Sequence, residues 1–142
     1  MPNWIIYAII ASVFFALNTI VYKVAAQKGN FSPYYGSFMF GLGVALIFGL
    51  FLLFKPSFEF EWKSSSLALI AGMIFGLGFL AVAVAIAKGG DVARLAPIYN
   101  TNTILAVLMG IIFLHEVPDV SQMFRVIAGA VLIVIGAILV SI

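Results

Sequence analysis

The chain has 142 residues, of which 65% are hydrophobic and 8% charged, with a net charge of +2 and a mean hydropathy of +1.25. A soluble domain of this size has too little interior to hide so much apolar side chain, so a water-soluble globule is excluded. The small charge gives no footprint for nucleic acid. The lack of cysteine removes disulfides, thiol chemistry and cysteine–metal sites.

Five apolar stretches predict five membrane-crossing helices: Trp4–Val24, Tyr34–Phe54, Leu67–Ala87, Leu95–Leu114 and Val120–Ile142. Each holds about 20 residues, the length that a helix rising 1.5 Å per residue needs to cross roughly 30 Å of hydrocarbon. The predicted fold class is an all-α membrane protein with five transmembrane helices. The connections are too short to fold alone, so a single domain over 1–142 is expected.

The first stretch is too long for a signal-peptide core and has no basic region before it, so it is expected to remain as a helix. Trp4 and Tyr7 open it and Tyr22 with Lys23 close it, as interface-seeking side chains do. Ser12, Phe15, Asn18 or Thr19, and Tyr22 follow three- and four-residue spacing along it. Asn18 is the informative member, because a mid-helix amide calls for up to four hydrogen-bond partners. Ser12 and Thr19 can instead bond back to their own helix. Phe15 and Tyr22 would suit the wall of a pocket.

Tyr34 and Tyr35 open the second helix, and Trp62 with Lys63 precede the third. One of Ser64, Ser65 or Ser66 is expected to cap the third. Its Ala68, Gly72 and Gly76 recur every four residues and predict close packing within the protomer. In the last helix Asp119 with Gln122 resembles a capping box after Pro118. Arg125 is expected to snorkel, and the 17 residues of Val126–Ile142 would cross about 26 Å and finish at the membrane surface. Gly129–Ala130 and Gly136–Ala137 share a face and make this helix the better candidate for a dimer seam.

The fourth stretch is different. Pro97-Ile98-Tyr99-Asn100-Thr101-Asn102-Thr103 sets five polar or aromatic-polar residues in a row inside an apolar helix. A polar group left in hydrocarbon without a partner costs a few kcal/mol, so these side chains must face protein or water. Pro97 lacks an N–H and is expected to kink the helix if helical structure already runs at Ala93. In a regular helix Tyr99, Asn102, Thr103 and Ala106 share a face, the expected substrate cavity. Arg94 either snorkels to the surface or turns into the cavity to bind an anionic group. Asp91 is expected to cap this helix, and Glu116 beyond its C-terminal end calls for a partner such as Arg125.

Enzyme chemistry has little to build on. His115 is the only histidine, and Pro118 with Asp119 breaks the pattern that His115-Glu116 begins. The turn at Gly89-Gly90 has no phosphate-loop residues after it. Neither catalysis, a metal nor a cofactor is expected.

Loop charges should orient the chain. One face would carry Lys23, Lys28, Lys88 and Arg94, the other Lys55, Lys63 and Arg125. So even a balance fits two readings: a faintly signalled N-out, C-in topology, or dual topology with copies inserted both ways and paired antiparallel.

Ala87-Lys88-Gly89-Gly90-Asp91-Val92-Ala93-Arg94-Leu95-Ala96-Pro97 resembles the loop-and-helix signature of the EamA-like domain of the drug/metabolite transporter superfamily. Leu114-His115-Glu116, Gln122 and the Gly129–Gly136 run are similar to that domain's closing segment. Phe14-Phe15-Ala16-Leu17-Asn18 with Lys23 fits its first-helix pattern, with the usual Trp-Gly replaced. The resemblance implies one five-helix repeat of a transporter type that commonly carries two in inverted orientation. It favours an antiparallel homodimer and leaves a dedicated partner chain open. It also implies a small-molecule substrate, while the apolar spans imply lipid surroundings and the compactness without targeting signals fits a prokaryotic inner membrane.

The expected substrate-binding residues are Asn18, Tyr99, Asn102 and Thr103, with Tyr22 and Arg94 near the mouth. Gly72, Gly76, Pro97, Gly129 and Gly136 are expected to serve packing or hinge motion. The related small multidrug resistance family binds cations with a Glu in its first helix. No acidic residue lies inside any predicted span here, so a neutral or zwitterionic metabolite fits better. A non-transporting membrane subunit and a cation exporter relying on Glu116 are the competing expectations.

Overall fold

A computed structural model describes residues 3–28, 31–54, 60–116 and 119–141. The described residues form only helices: α1 (Asn3–Ala26), α2 (Pro33–Phe54), α3 (Trp62–Ala87), α4 (Val92–Tyr99), α5 (Asn102–Phe113) and α6 (Val120–Ser141). Among the described residues five segments are long and apolar enough to cross a membrane, because α4 and α5 together make one span, Val92–Phe113. The predicted all-α class with five spans stands. The fourth span starts earlier than Leu95 and is interrupted between α4 and α5.

The chain divides into two compact units, Met1–Gly89 and Gly90–Ile142. In the first, α3 packs along α2 and touches α1. Pro33 begins α2 at the position where a missing N–H has no helical partner to lose. α3 starts at Trp62 rather than after the serines. Glu61 holds the N-cap position without a side-chain capping bond, Ser64 Oγ donates to Glu61 Oε2 at 2.6 Å, and Ser66 Oγ donates back to the Lys63 carbonyl. The expected serine cap is therefore absent. Gly89 ends this unit's last turn at φ +94°, a conformation glycine adopts without strain, and its N–H reaches the Ile86 carbonyl at 3.0 Å.

Burial in this unit gathers on Tyr22, Gly36, Ala83 and Ile86. Most other large side chains are exposed, Leu46, Phe48 and Leu53 among them. That surface would aggregate in water and is the lipid-facing surface of a membrane protein.

In the second unit α6 packs against both α4 and α5. Ala130 and Ala137, on one face of α6, are only 3% and 4% exposed. The glycines just before them lie about 100° further round the helix. A Cβ added at Gly129 or Gly136 would meet no atom within 4 Å. The two small-residue pairs are thus divided: the alanines are used inside the chain and the glycines are open.

At the end of α5 the N–H groups of Leu114 and Glu116 both reach the Gly110 carbonyl, each at 3.2 Å. His115 takes φ +55° to allow that return. The Glu116 side chain follows, and its Oε2 would lie 3.3 Å from a Cβ at Gly110. Among the described residues Glu116 makes no ion pair with Arg125, contrary to expectation. It folds over its own helix end instead.

A broken span as the candidate functional site

α4 begins with Asp91 at its N-cap position, where the Asp91 carbonyl accepts from Arg94 at 3.1 Å and Leu95 at 2.8 Å. The carboxylate makes no capping bond, so the backbone, not the side chain, starts this helix. Helical structure already runs at Ala93, and Pro97 can give that carbonyl no N–H. The helix continues only to Tyr99.

The local bonding explains why it stops. Asn100 N–H still reaches the Ala96 carbonyl at 3.1 Å in helical fashion. Thr101 N–H turns to the Ile98 carbonyl at 3.2 Å, and Thr101 Oγ1 donates to that same oxygen at 2.7 Å. Thr103 and Ile104 likewise bond three residues back, to Asn100 and Thr101, at 3.1 Å each. Three-residue bonding tightens the turn and advances each side chain by about 120° instead of 100°. The face assigned to Tyr99, Asn102 and Thr103 assumed one regular helix, so its phase shifts across the break.

The polar side chains separate into two groups. Ser12 Oγ donates to the Ile9 carbonyl at 2.8 Å, Thr19 Oγ1 to Phe15 at 2.9 Å, and Thr101 to Ile98. These hydroxyls satisfy themselves on their own helix. The side chains of Asn18, Asn102 and Thr103 make no hydrogen bond to any described residue. Asn18 and Thr103 are half-buried and Asn102 is exposed. Tyr99 is half-buried and has interactions of its own. Arg94 is exposed on α4.

Tyr99, Asn102 and Thr103 therefore gather around the break in the second unit, with Pro97 and Arg94 on the helix leading into it. Asn18 and Tyr22 belong to the first unit, one turn apart on α1. Tyr22 is 7% exposed, its hydroxyl donating to the Pro33 carbonyl at 3.4 Å. Its ring stands edge-on to Phe31 and Phe79. Gly72 and Gly76 have open space where a side chain would be.

Sequence reasoning missed Gly36, Phe31 and the ring cluster around Phe79. A glycine in the first turn of an apolar helix is too common a feature to mark this contact. Nothing in the sequence points to Glu116 lying over Gly110.

A model of the EamA-like transporter family matches residues 2–142. The chain belongs to the EamA-like transporter family. No curated protein and no solved structure matches it. Family membership, with five apolar spans, makes this chain an integral, multi-pass membrane transporter of the drug/metabolite superfamily. The family consists of transporters, not enzymes, and its members meet lipid and a small-molecule substrate.

Proposed function

We propose that this EamA member carries a neutral or zwitterionic metabolite by alternating access, as an antiparallel homodimer in a prokaryotic cell membrane. The observation that carries the reading is the break at Asn100–Thr101, where the side chains of Asn102 and Thr103 make no hydrogen bond to any described residue. An interrupted helix beside unpartnered amides and hydroxyls is the arrangement transporters use at midplane sites. Neutral donors and acceptors suit neutral polar groups of a substrate, since an ion would need a charged partner. Tyr99 completes the contact set at the break, and Asn18 is a separate polar group on α1. Arg94 guards the mouth, and Tyr22 contributes by anchoring α1.

Two features support the dimer. The positive charges of the two loop faces nearly balance, which permits insertion in both orientations. Gly72 and Gly76 on α3 and Gly129 and Gly136 on α6 are open, and small-residue lines in lipid are where helices approach closely. Reporters fused to each end of the chain test this part. Signal from both sides of the membrane for each end is expected, and a single fixed side removes the antiparallel homodimer.

The site is tested by uptake of neutral and zwitterionic metabolites into vesicles holding the purified protein. Asn102→Ala is expected to lower uptake of the carried solute about tenfold, the worth of one substrate hydrogen bond left unmade. Unchanged uptake would remove Asn102 from the site. If no solute moves and Asn102→Ala instead weakens capture of another membrane chain, the accessory-subunit reading replaces transport.

A further inference from the structure

The junction between α1 and α2 holds the most tightly specified contact in the first unit. Phe31 lays its ring over Gly36, so that a Cβ there would run into Phe31 Cε1 and Cζ and stand 2.8 Å from the Tyr22 hydroxyl. Tyr22 meets Phe31 edge-on with centroids 5.7 Å apart and Phe79 at 5.0 Å. Phe79 stacks in turn on Phe40 at 3.8 Å. One side chain of α1 is thus gripped by the connection, by α2 and by α3. Asn18 lies four residues before Tyr22 on the same face of α1. Whatever grips Tyr22 therefore sets which way Asn18 points.

The polar part of that grip is weak. The Tyr22 hydroxyl donates to the Pro33 carbonyl at 3.4 Å, near the limit for a hydrogen bond. Ser37 Oγ, in the next turn of α2, is buried with no partner. A helical serine donates to the carbonyl three or four residues before it, and for Ser37 the latter is Pro33. The Pro33 oxygen is thus within the local reach of two hydroxyls, and the Tyr22 bond to it is long. When Tyr22 withdraws, a rotation of Ser37 about χ1 supplies the replacement donor. Release then involves no net loss of a hydrogen bond.

We propose that Phe31, Gly36 and Ser37 are positioning residues for transport: they form a two-state latch on Tyr22 that turns α1 and re-aims Asn18. The functional consequence rests on Asn18 facing the pathway, but the latch itself is testable without a substrate. Because the chain has no cysteine, Asn18→Cys reports its own surroundings. Its alkylation by N-ethylmaleimide would be followed on the full chain in lipid vesicles.

Phe31→Ala opens the latch without adding an atom and is expected to shift that rate about fivefold, the worth of one edge-to-face ring contact. Gly36→Ala displaces the ring and shifts the rate in the same direction. Ser37→Ala removes the waiting donor, holds the latch closed and shifts the rate the opposite way. An unaltered rate in Phe31→Ala overturns the latch, as does a shift in Gly36→Ala alone, which marks simple overpacking. Ser37→Ala moving with the other two overturns the donor exchange. Should Gly36→Ala fail to insert, Phe31→Ala and Ser37→Ala carry the test. Expected rate shifts combined with full transport by Asn18→Ala would keep the latch and remove Asn18 from the binding site.

Discussion

The ring cluster around Tyr22 and the break at Asn100–Thr101 treat polar groups in a membrane protein in opposite ways. At the first, a hydroxyl is surrounded by Phe31 and Phe79 and placed on the Pro33 carbonyl. At the second, Thr101 takes the Ile98 carbonyl and the side chains that follow it have no partner in the described chain. The first arrangement fixes helix against helix by ring packing around one long hydrogen bond. The second keeps its capacity in reserve. In a solvent that offers no hydrogen bonds, such a reserve is costly unless water, a substrate or another chain uses it. An intramembrane polar residue thus points to function only once its bonding inside the chain has been counted.

The contrast is broken most severely at its aromatic end. Tyr22→Ala removes a buried ring from the junction of three helices, and a loss of about 3–5 kcal/mol of stability is expected, the range for aromatic-to-alanine changes in cores. Thermal unfolding in detergent would read this as a marked fall in Tm. A small fall would mean that the cluster is not a structural centre.

A milder disturbance tests the packing behind the break. Ala130→Leu forces bulk into a face of α6 that is 3% exposed and is expected to destabilise by about 1–3 kcal/mol. Gly129→Ala, one residue away, has room for its methyl and should change stability by no more than about 0.5 kcal/mol. Equal effects of the two changes would erase the division of α6 into a used and an open face.

Within the break, Thr101→Val and Asn102→Ala sharpen the comparison between a satisfied and an unsatisfied group. Thr101→Val removes one local bond and should alter uptake less than about threefold. The neighbouring Asn102→Ala carries the expected tenfold loss, so the ratio between the two uptake rates is the measured quantity. A larger loss from Thr101→Val would show that the turn, and not its amide, governs transport.

The smallest effect is expected on α3. A Cβ added at Gly76 meets no atom within 4 Å, and for Gly76→Leu insertion and chain stability are expected to stay within about 0.5 kcal/mol of the parent. Transport should nevertheless fail if α3 must approach a second copy there. Crosslinking in vesicles separates the cases, since lost transport with unaltered dimer yield would place the fault inside one chain.

Much of the architecture was legible because length and hydropathy are local properties. Five spans, their interface residues and the polar run after Pro97 can all be read from successive residues. The proline's effect was also legible, since its missing N–H at Ala93 is a covalent fact. The position of the break was not. It depends on Thr101 choosing the Ile98 carbonyl over other acceptors, and sequence spacing does not rank such choices. The expected caps failed because α3 already starts at Trp62, so Ser64 and Ser66 lie inside the helix and their hydroxyls donate to the Glu61 carboxylate and the Lys63 carbonyl.

The sequence by itself determined the solvent, the number of spans, the neutral character of the polar run and the resemblance to a transporter family, for which composition and order suffice. Only the tertiary structure decided which polar groups are satisfied and which remain open. It alone assigned Ala130 and Ala137, not Gly129 and Gly136, to packing within the chain. It alone brought Phe31, Gly36 and Tyr22 into one contact. Those outcomes follow from helix azimuth, which distant neighbours set, and from which local acceptor each hydroxyl takes, which sequence spacing does not rank.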